Sequence, residues 1–295
     1  MERELWQSLY AVTRCLDKPW GRWRYSTSDI LGVYFWAVVH EEATSWAVDP
    51  ENWFEDLRPA LLPDQSTMSR RLRHDDVRQL MCEVEEYWLA LFAVATYWIR
   101  VVDAKPLLVG GFARGYKFYA VWGGGPLPVA WALAPMNVNE RTMARHLIPT
   151  LPGAGYLLGD AEYDANDLYD LAAAAGYQLV APKQRPKTRS GAKTGLGHRP
   201  HSPHRLRGLE LLERPFGRDL FRFRRQIERD FGNATSFGGG LAPLPAWVRR
   251  FPRVLNWVHA KLLINAARWI RKHPRRQMHN VVAPWARGDR PSGAR

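Results

Sequence analysis

Cysteine is nearly absent from this chain: Cys15 and Cys82 are the two in 295 residues, and they form no close pair. That excludes a cysteine-based zinc site and suits a reducing, cytoplasmic setting. Long apolar runs are missing as well. No stretch approaches the roughly 20 uninterrupted apolar residues that a membrane span needs. The opening residues Met1-Glu2-Arg3-Glu4-Leu5-Trp6 carry acids where a secretory signal has an apolar core. A membrane is therefore set aside as a partner. No internal repeat is found.

Acid is also in short supply, with 29 Asp+Glu against 42 Lys+Arg, a net charge of +13 and a pI near 10.0. A surplus of this size favours a polyanion as partner. Hydrophobic residues at 46% and aromatics at 12% exclude a largely disordered chain, and most of the 14 tryptophans sit in apolar, helix-like runs that read as core. The length allows one large or two ordinary domains.

Residues 1–97 read as helical. Ser28 or Asp29 is the expected cap of a run through Ile30, Leu31, Tyr34, Phe35 and Val38. Ser66 is a candidate cap of a short helix crowded with Arg70, Arg71 and Arg73, which suits a helix-turn-helix reader of DNA or, equally, a solvated basic face. A packing helix over 77–98 joins this region to the next.

From Trp98 the periodicity changes. Ile99-Arg100-Val101-Val102-Asp103 reads as a buried strand closing on an aspartate, and Gly155-Tyr156-Leu157-Leu158-Gly159-Asp160 as a second. Between them come strands over 115–122 and 127–133, joined as a tight hairpin by Gly123-Gly124-Gly125-Pro126, and a helix opened by Asn139. Asp164 is expected to cap the helix that follows, with a strand over 178–181 after it. This order predicts a mixed α/β sheet flanked by helices, below an N-terminal all-α region. Residues 182–208 hold Lys183, Arg185, Lys187, Arg189, Lys193, Arg199, Arg205 and Arg207 and no acid at all, a pattern suited to phosphate-backbone contact. Gly191-Ala192-Lys193-Thr194-Gly195 lacks the glycine spacing of a nucleotide loop. The segment 221–232 reads as a helix with Phe223, Ile227 and Phe231 on one face and Gly232 as its stop. Arg224 and Glu228 project side by side from it, either as a plain surface pair or presented together to a third group. Residues 247–272 read as an apolar helical pair, followed by a basic tail over 273–295.

Strand-end aspartates lie where open α/β sheets place their sites. Two of them with a downstream helical glutamate make a set of hard oxygen ligands suited to Mg²⁺ or Mn²⁺. Two such ions about 3.5–4 Å apart can activate water and stabilise a leaving oxygen in phosphoryl displacement. Glu162 reads as an outer or exposed residue. A restriction-type nuclease wants an acid-x-Lys pair, which Asp160-Ala161-Glu162-Tyr163 lacks.

Three stretches carry a family likeness: Val102-Asp103-Ala104-Lys105-Pro106, Leu158-Gly159-Asp160-Ala161-Glu162-Tyr163-Asp164 and Arg224-Arg225-Gln226-Ile227-Glu228-Arg229-Asp230-Phe231. Over residues 98–272 the chain resembles the DDE transposases of bacterial insertion sequences, in the IS4/IS5-like group, whose catalytic domain has the ribonuclease H-like fold. The resemblance implies that Asp103, Asp160 and Glu228 form a catalytic triad holding Mg²⁺ or Mn²⁺, two ions in all. It implies that Arg224 contacts DNA phosphate near the cleaved bond, and that the protein acts as a homodimer on double-stranded transposon ends and target. Arg225, Lys183, Arg185, Lys187, Arg189, Lys193, Arg70, Arg71 and Arg73 complete the expected DNA-binding set. The expected organisation is a helical DNA-binding and assembly region over 1–97, a catalytic domain over 98–272 with the basic insertion 182–208, and the tail 273–295. Phe221 and Thr235 stand where the family often has tyrosine and lysine, and the segment between Asp103 and Gly115 is short for such relatives. An inactive DNA-binding derivative, internally deleted or repurposed, and another ribonuclease H-like nuclease are the alternatives.

Overall fold

The computed structural model describes residues 2–18, 23–92, 97–109, 115–184, 201–236, 240–241 and 243–272, with the side chains of 226, 227, 230, 231 and 233–236 excepted. Helices α1 (Glu2–Leu16), α2 (Thr27–Val39), α3 (Thr44–Ala47), α4 (Gln65–Arg71) and α5 (Asp75–Leu91) precede the sheet. Ser26, not Ser28 or Asp29, caps α2. Its side chain accepts from the Asp29 N–H while the Asp29 carboxylate accepts from the Ser26 N–H, a reciprocal box. Asp64 rather than Ser66 caps α4, accepting from the Thr67 N–H at 2.7 Å; the carboxylate, two residues earlier, starts the helix before the hydroxyl can.

The sheet has strands β1 (Ile99–Leu108), β2 (Gly115–Trp122), β3 (Ala130–Pro135), β4 (Gly155–Leu158) and β5 (Tyr177–Val180) in the order β3-β2-β1-β4-β5. β1, β2 and β3 form an antiparallel meander, and β4 and β5 join it parallel to β1. This is a ribonuclease H-like mixed sheet. β2 and β3 are joined over residues 123–129, a longer connection than a tight hairpin. Asp103 does not close β1. It lies mid-strand, opposite Ala120, and the strand runs on through Lys105 and Pro106 to Leu108 against Gly115. The first five residues of the short interval between Asp103 and Gly115 are the second half of β1.

Helices α6 (Glu140–Leu147) and α7 (Asn166–Ala174) cover one face with Val102, Tyr119, Val121, Leu157 and Leu179 beneath them. The opposite face presents Val101, Phe118, Trp122, Leu158 and Val180 to a larger core shared with the N-terminal helices and α10 (Phe251–Lys272). Residues 247–272 therefore hold one long helix and not a pair; it packs on α1, α2 and α5. Between the strands and α10 run α8 (Pro203–Glu213) and α9 (Pro215–Ser236). Gly232 does not stop α9, which continues a further turn to Ser236; one glycine costs a helix about 1 kcal/mol and does not by itself end it. The packing helix between the regions is α5, which ends at Leu91 rather than near Trp98.

Candidate active site

The parallel pairing of β1 and β4 sets Val101 opposite Leu158. Asp103 and Asp160 each come two residues later. That register, continued two residues past its last pair, sets the two aspartates opposite each other at the end of β4, and both act on the charge of Glu140. Asp160 lies just beyond β4 and caps the single 3-10 turn Ala161–Tyr163, its Oδ1 accepting from the Glu162 N–H at 2.8 Å. Asp103 accepts from the Ala104 N–H at 2.9 Å.

Helix α9 packs against β1 and brings Arg224 and Glu228 to the Asp103 side. The two meet at 2.5 Å, both partly buried, and the Arg224 Nε is buried without an acceptor. Burial pushes the Asp103 carboxyl above its ordinary range. The Ala104 N–H, Lys105 and Arg224 pull against it, and the charge of Glu228 adds to the push. Glu140, the first residue of α6, is raised too. Burial leads, Lys117 opposes it, and the charges of Asp160 and Asp103 add to it. Tyr163 completes this side, its hydroxyl raised far above the usual value by burial first and then by Glu140, Asp103 and Asp160.

Asp103, Glu140 and Glu228 each have a cation beside them. Lys105 Nζ is 3.9 Å from Asp103, Lys117 Nζ is 3.4 Å from Glu140, and Arg224 holds Glu228. Among the described residues no three acidic, cysteine or histidine side chains are gathered closely enough to hold a metal ion as they stand. The donor chemistry nevertheless fits a hard divalent cation: the groups are carboxylates without thiol or imidazole, and burial raises Asp103 and Glu140 despite the lysine beside each.

The other expected DNA contacts divide. Lys183, Arg225, Arg70 and Arg73 are exposed. Arg71 is not available: it is 2% exposed, paired to Asp76 at 2.8 Å, donates to the Tyr25 carbonyl and Thr27 hydroxyl, and lies under the Trp23 ring. The last turn of α4 points Arg71 inward and Arg70 outward, so Arg71 is held as a structural residue and is not free for a DNA contact. Arg185, Lys187, Arg189 and Lys193 lie outside the described residues, as do Gly191–Gly195 and the tail 273–295. Asp164 does not cap α7; Ala165 occupies that position without a side-chain bond. Asp164 is buried, gripped by Arg205 at 2.6 and 2.7 Å. Sequence reasoning passed over Glu140, Lys105, Lys117 and Tyr163. Glu140 had one signal, its place at the start of the helix that Asn139 caps.

A mixed five-stranded sheet in this order, with Asp103 on β1, Asp160 just beyond β4 and α9 packed on β1, is the arrangement of a ribonuclease H-like domain. Residues 95–260 match the family of transposase DDE domains. The match takes in more than half of the chain, and the protein belongs to that family. No curated protein and no solved structure matches the chain.

Proposed function

We propose that the protein is a DNA transposase of the IS4/IS5-like group that cleaves at transposon ends and joins the freed 3′-OH to target DNA. The observation that carries this reading is the level register of Asp103 and Asp160 with α9 laid across β1, so that Asp103 feels the charges of both Arg224 and Glu228. Asp103, Asp160 and Glu228 would hold divalent metal, with Glu140 beside them. When bound, Mg²⁺ or Mn²⁺ supplies water activation and neutralises charge on the transferring phosphoryl group. The chain's own residues do the rest. Arg224 offers a planar fork to a DNA phosphate near the scissile bond. Arg225 and Lys183 add positive surface at its margin, and burial keeps competing water from Asp103 and Glu140.

Residues 1–97 serve as the DNA-binding and assembly region and 98–272 as the catalytic domain, with 182–208 inserted and 273–295 as a basic tail. The packing of α10 on α1, α2 and α5 ties the two parts together. Paired ends are held by a homodimer.

A second reading, a DNA-binding derivative without catalysis, is favoured by the cations beside Asp103, Glu140 and Glu228. The two separate in one assay on end-bearing duplex DNA. Glu228→Gln is expected to keep end binding and abolish nicking in Mg²⁺. Nicking by that variant at the wild-type rate refutes the role of Glu228, and a wild type that binds but never nicks in Mg²⁺ or Mn²⁺ selects the derivative.

A further inference from the structure

Away from the carboxylates, α2, the residues around α3, α4 and the start of α10 enclose a notch of about 460 Å³. Its lining brings together three arginines far apart in sequence, Arg73, Arg250 and Arg253, with Trp247 and Trp257. All three arginines and Trp247 are exposed at the surface. Glu42 is the one acid in the wall. Trp257 is 3% exposed, and its indole N–H meets no acceptor, an unsatisfied donor of the kind folding normally avoids.

We propose that this notch grips the sugar-phosphate backbone of duplex DNA, beside the exposed Arg70 of α4. Three guanidinium groups against one carboxylate select an anion. Planar guanidinium forks match phosphate oxygens. A volume in the range of sites that take small organic groups, roughly 300–1,000 Å³, admits a phosphate with its flanking sugar and not only a bare ion. The exposed indole of Trp247 gives the sugar an apolar wall. The notch joins the helical region to the chain that follows the catalytic residues, so a bound strand engages both ends of the sequence at once.

This inference rests on the reading of the protein as a DNA transposase, and the test keeps the two apart. Binding of the full chain to a labelled blunt duplex of arbitrary sequence is followed by fluorescence anisotropy across a salt series. The double variant Arg250→Gln/Arg253→Gln is expected to lower the slope of log affinity against log salt by about 1 per arginine. The control Arg14→Gln/Arg78→Gln, exposed charges outside the notch, is expected to leave the slope unchanged. Trp257→Phe, which keeps the ring and removes the N–H, is expected to weaken binding several-fold at fixed salt. An unchanged slope in the notch variant, or an equal fall in the control, overturns the proposal. So does a single strand that binds as tightly as the duplex and loses the same slope. Displacement of the duplex by inorganic phosphate at matched ionic strength, in wild type but not in the variant, assigns the notch to free phosphate and also overturns it. Failure of the wild type to bind duplex DNA at all sinks the transposase reading itself; retained binding with an unmoved slope sinks only the notch.

Discussion

Arg205 reaches back across the sheet edge to clasp Asp164 with two nitrogens, Nε at 2.6 Å and Nη2 at 2.7 Å. The same carboxylate accepts from the Gln184 N–H at 2.8 Å. Gln184 and Arg205 lie on either side of residues 185–200, so one buried acid, four residues after Asp160, ties together the two ends of the basic segment 182–208. Burial raises the Asp164 carboxyl, but the Arg205 fork and the Gln184 N–H outweigh it, and the pKa lies below the ordinary value. A depressed pKa contributes stability above the unfolded value, near 3.9, and loses it as pH falls through the lower folded value.

Asp164→Asn is therefore expected to cost about 3 kcal/mol at neutral pH, since it leaves Arg205 facing an uncharged partner in a buried site. The penalty should shrink below about pH 3.9, where the wild-type carboxylate is itself being protonated. Urea unfolding of both proteins at pH 7 and at acid pH measures this. A cost that does not change with pH rules out the ionic origin.

The inward turn of Arg71 separates it from its neighbours. Arg71→Gln breaks a buried pair with Asp76 and is expected to destabilise the fold by about 3 kcal/mol. The double variant Arg70→Gln/Arg73→Gln should unfold within about 0.5 kcal/mol of the wild type and lose duplex affinity with a shallower salt slope. Thermal unfolding and anisotropy on the same preparations distinguish the two. If Arg71→Gln is fully stable, the buried network around Thr27 and Asp76 does not carry the weight assigned to it.

Much of this architecture was legible in the chain and some was hidden for identifiable reasons. β2 matches its predicted span because an apolar run bounded by glycine leaves little choice. The positions of Asp103 and Asp160 were visible as apolar runs ending on acids, yet the mid-strand place of Asp103 was not. Lys105 and Pro106 look like a strand end, and only the long pairing with β2 carries the strand past them. Arg71 could not be sorted from Arg70 and Arg73, because where the last turn of α4 points decides which of these three closely spaced arginines faces inward. The partner of Asp164 is 41 residues away, beyond any local pattern, so a cap was the natural reading. Glu140 was missed for the same reason: its neighbours Lys117, Asp160 and Asp103 come from three different strands or their ends.

Glu140 supplies a further expectation. Its carboxyl is raised by burial and by the charges of Asp160 and Asp103, with Lys117 at 3.4 Å opposing. Glu140→Gln keeps the shape and removes the charge. End binding should be unaffected, while nicking in Mg²⁺ falls by roughly ten- to a hundred-fold, the usual penalty for losing a group that supports metal-binding carboxylates. Raising the Mg²⁺ or Mn²⁺ concentration should restore part of the rate. A variant that nicks as fast as the wild type at limiting metal places Glu140 outside the site.

The last expectation concerns the register on which the aspartates depend. Gly155 opens β4 with φ +143°, a conformation that L side chains rarely adopt, and a Cβ placed there would lie 2.1 Å from the Trp98 carbonyl oxygen. That carbonyl accepts the Tyr156 N–H at 2.7 Å, the bond that starts the pairing of β4 with β1. Gly155→Ala must therefore either strain the backbone or push β4 away from β1. Either response is expected to cost about 2–4 kcal/mol, the range for a substitution at a special backbone conformation combined with a clash. The displacement falls on the strand that leads into Asp160, so nicking should drop further than the folded fraction accounts for. Gly124→Ala is the comparison: it too has positive φ, at +84°, but its Cβ would meet nothing within 4 Å. It should lose about 1 kcal/mol while nicking per folded molecule stays at the wild-type level. Urea unfolding and single-turnover nicking on the two variants read both quantities. Equal nicking per folded molecule in the two proteins would show that the β1–β4 register does not set the separation of Asp103 and Asp160.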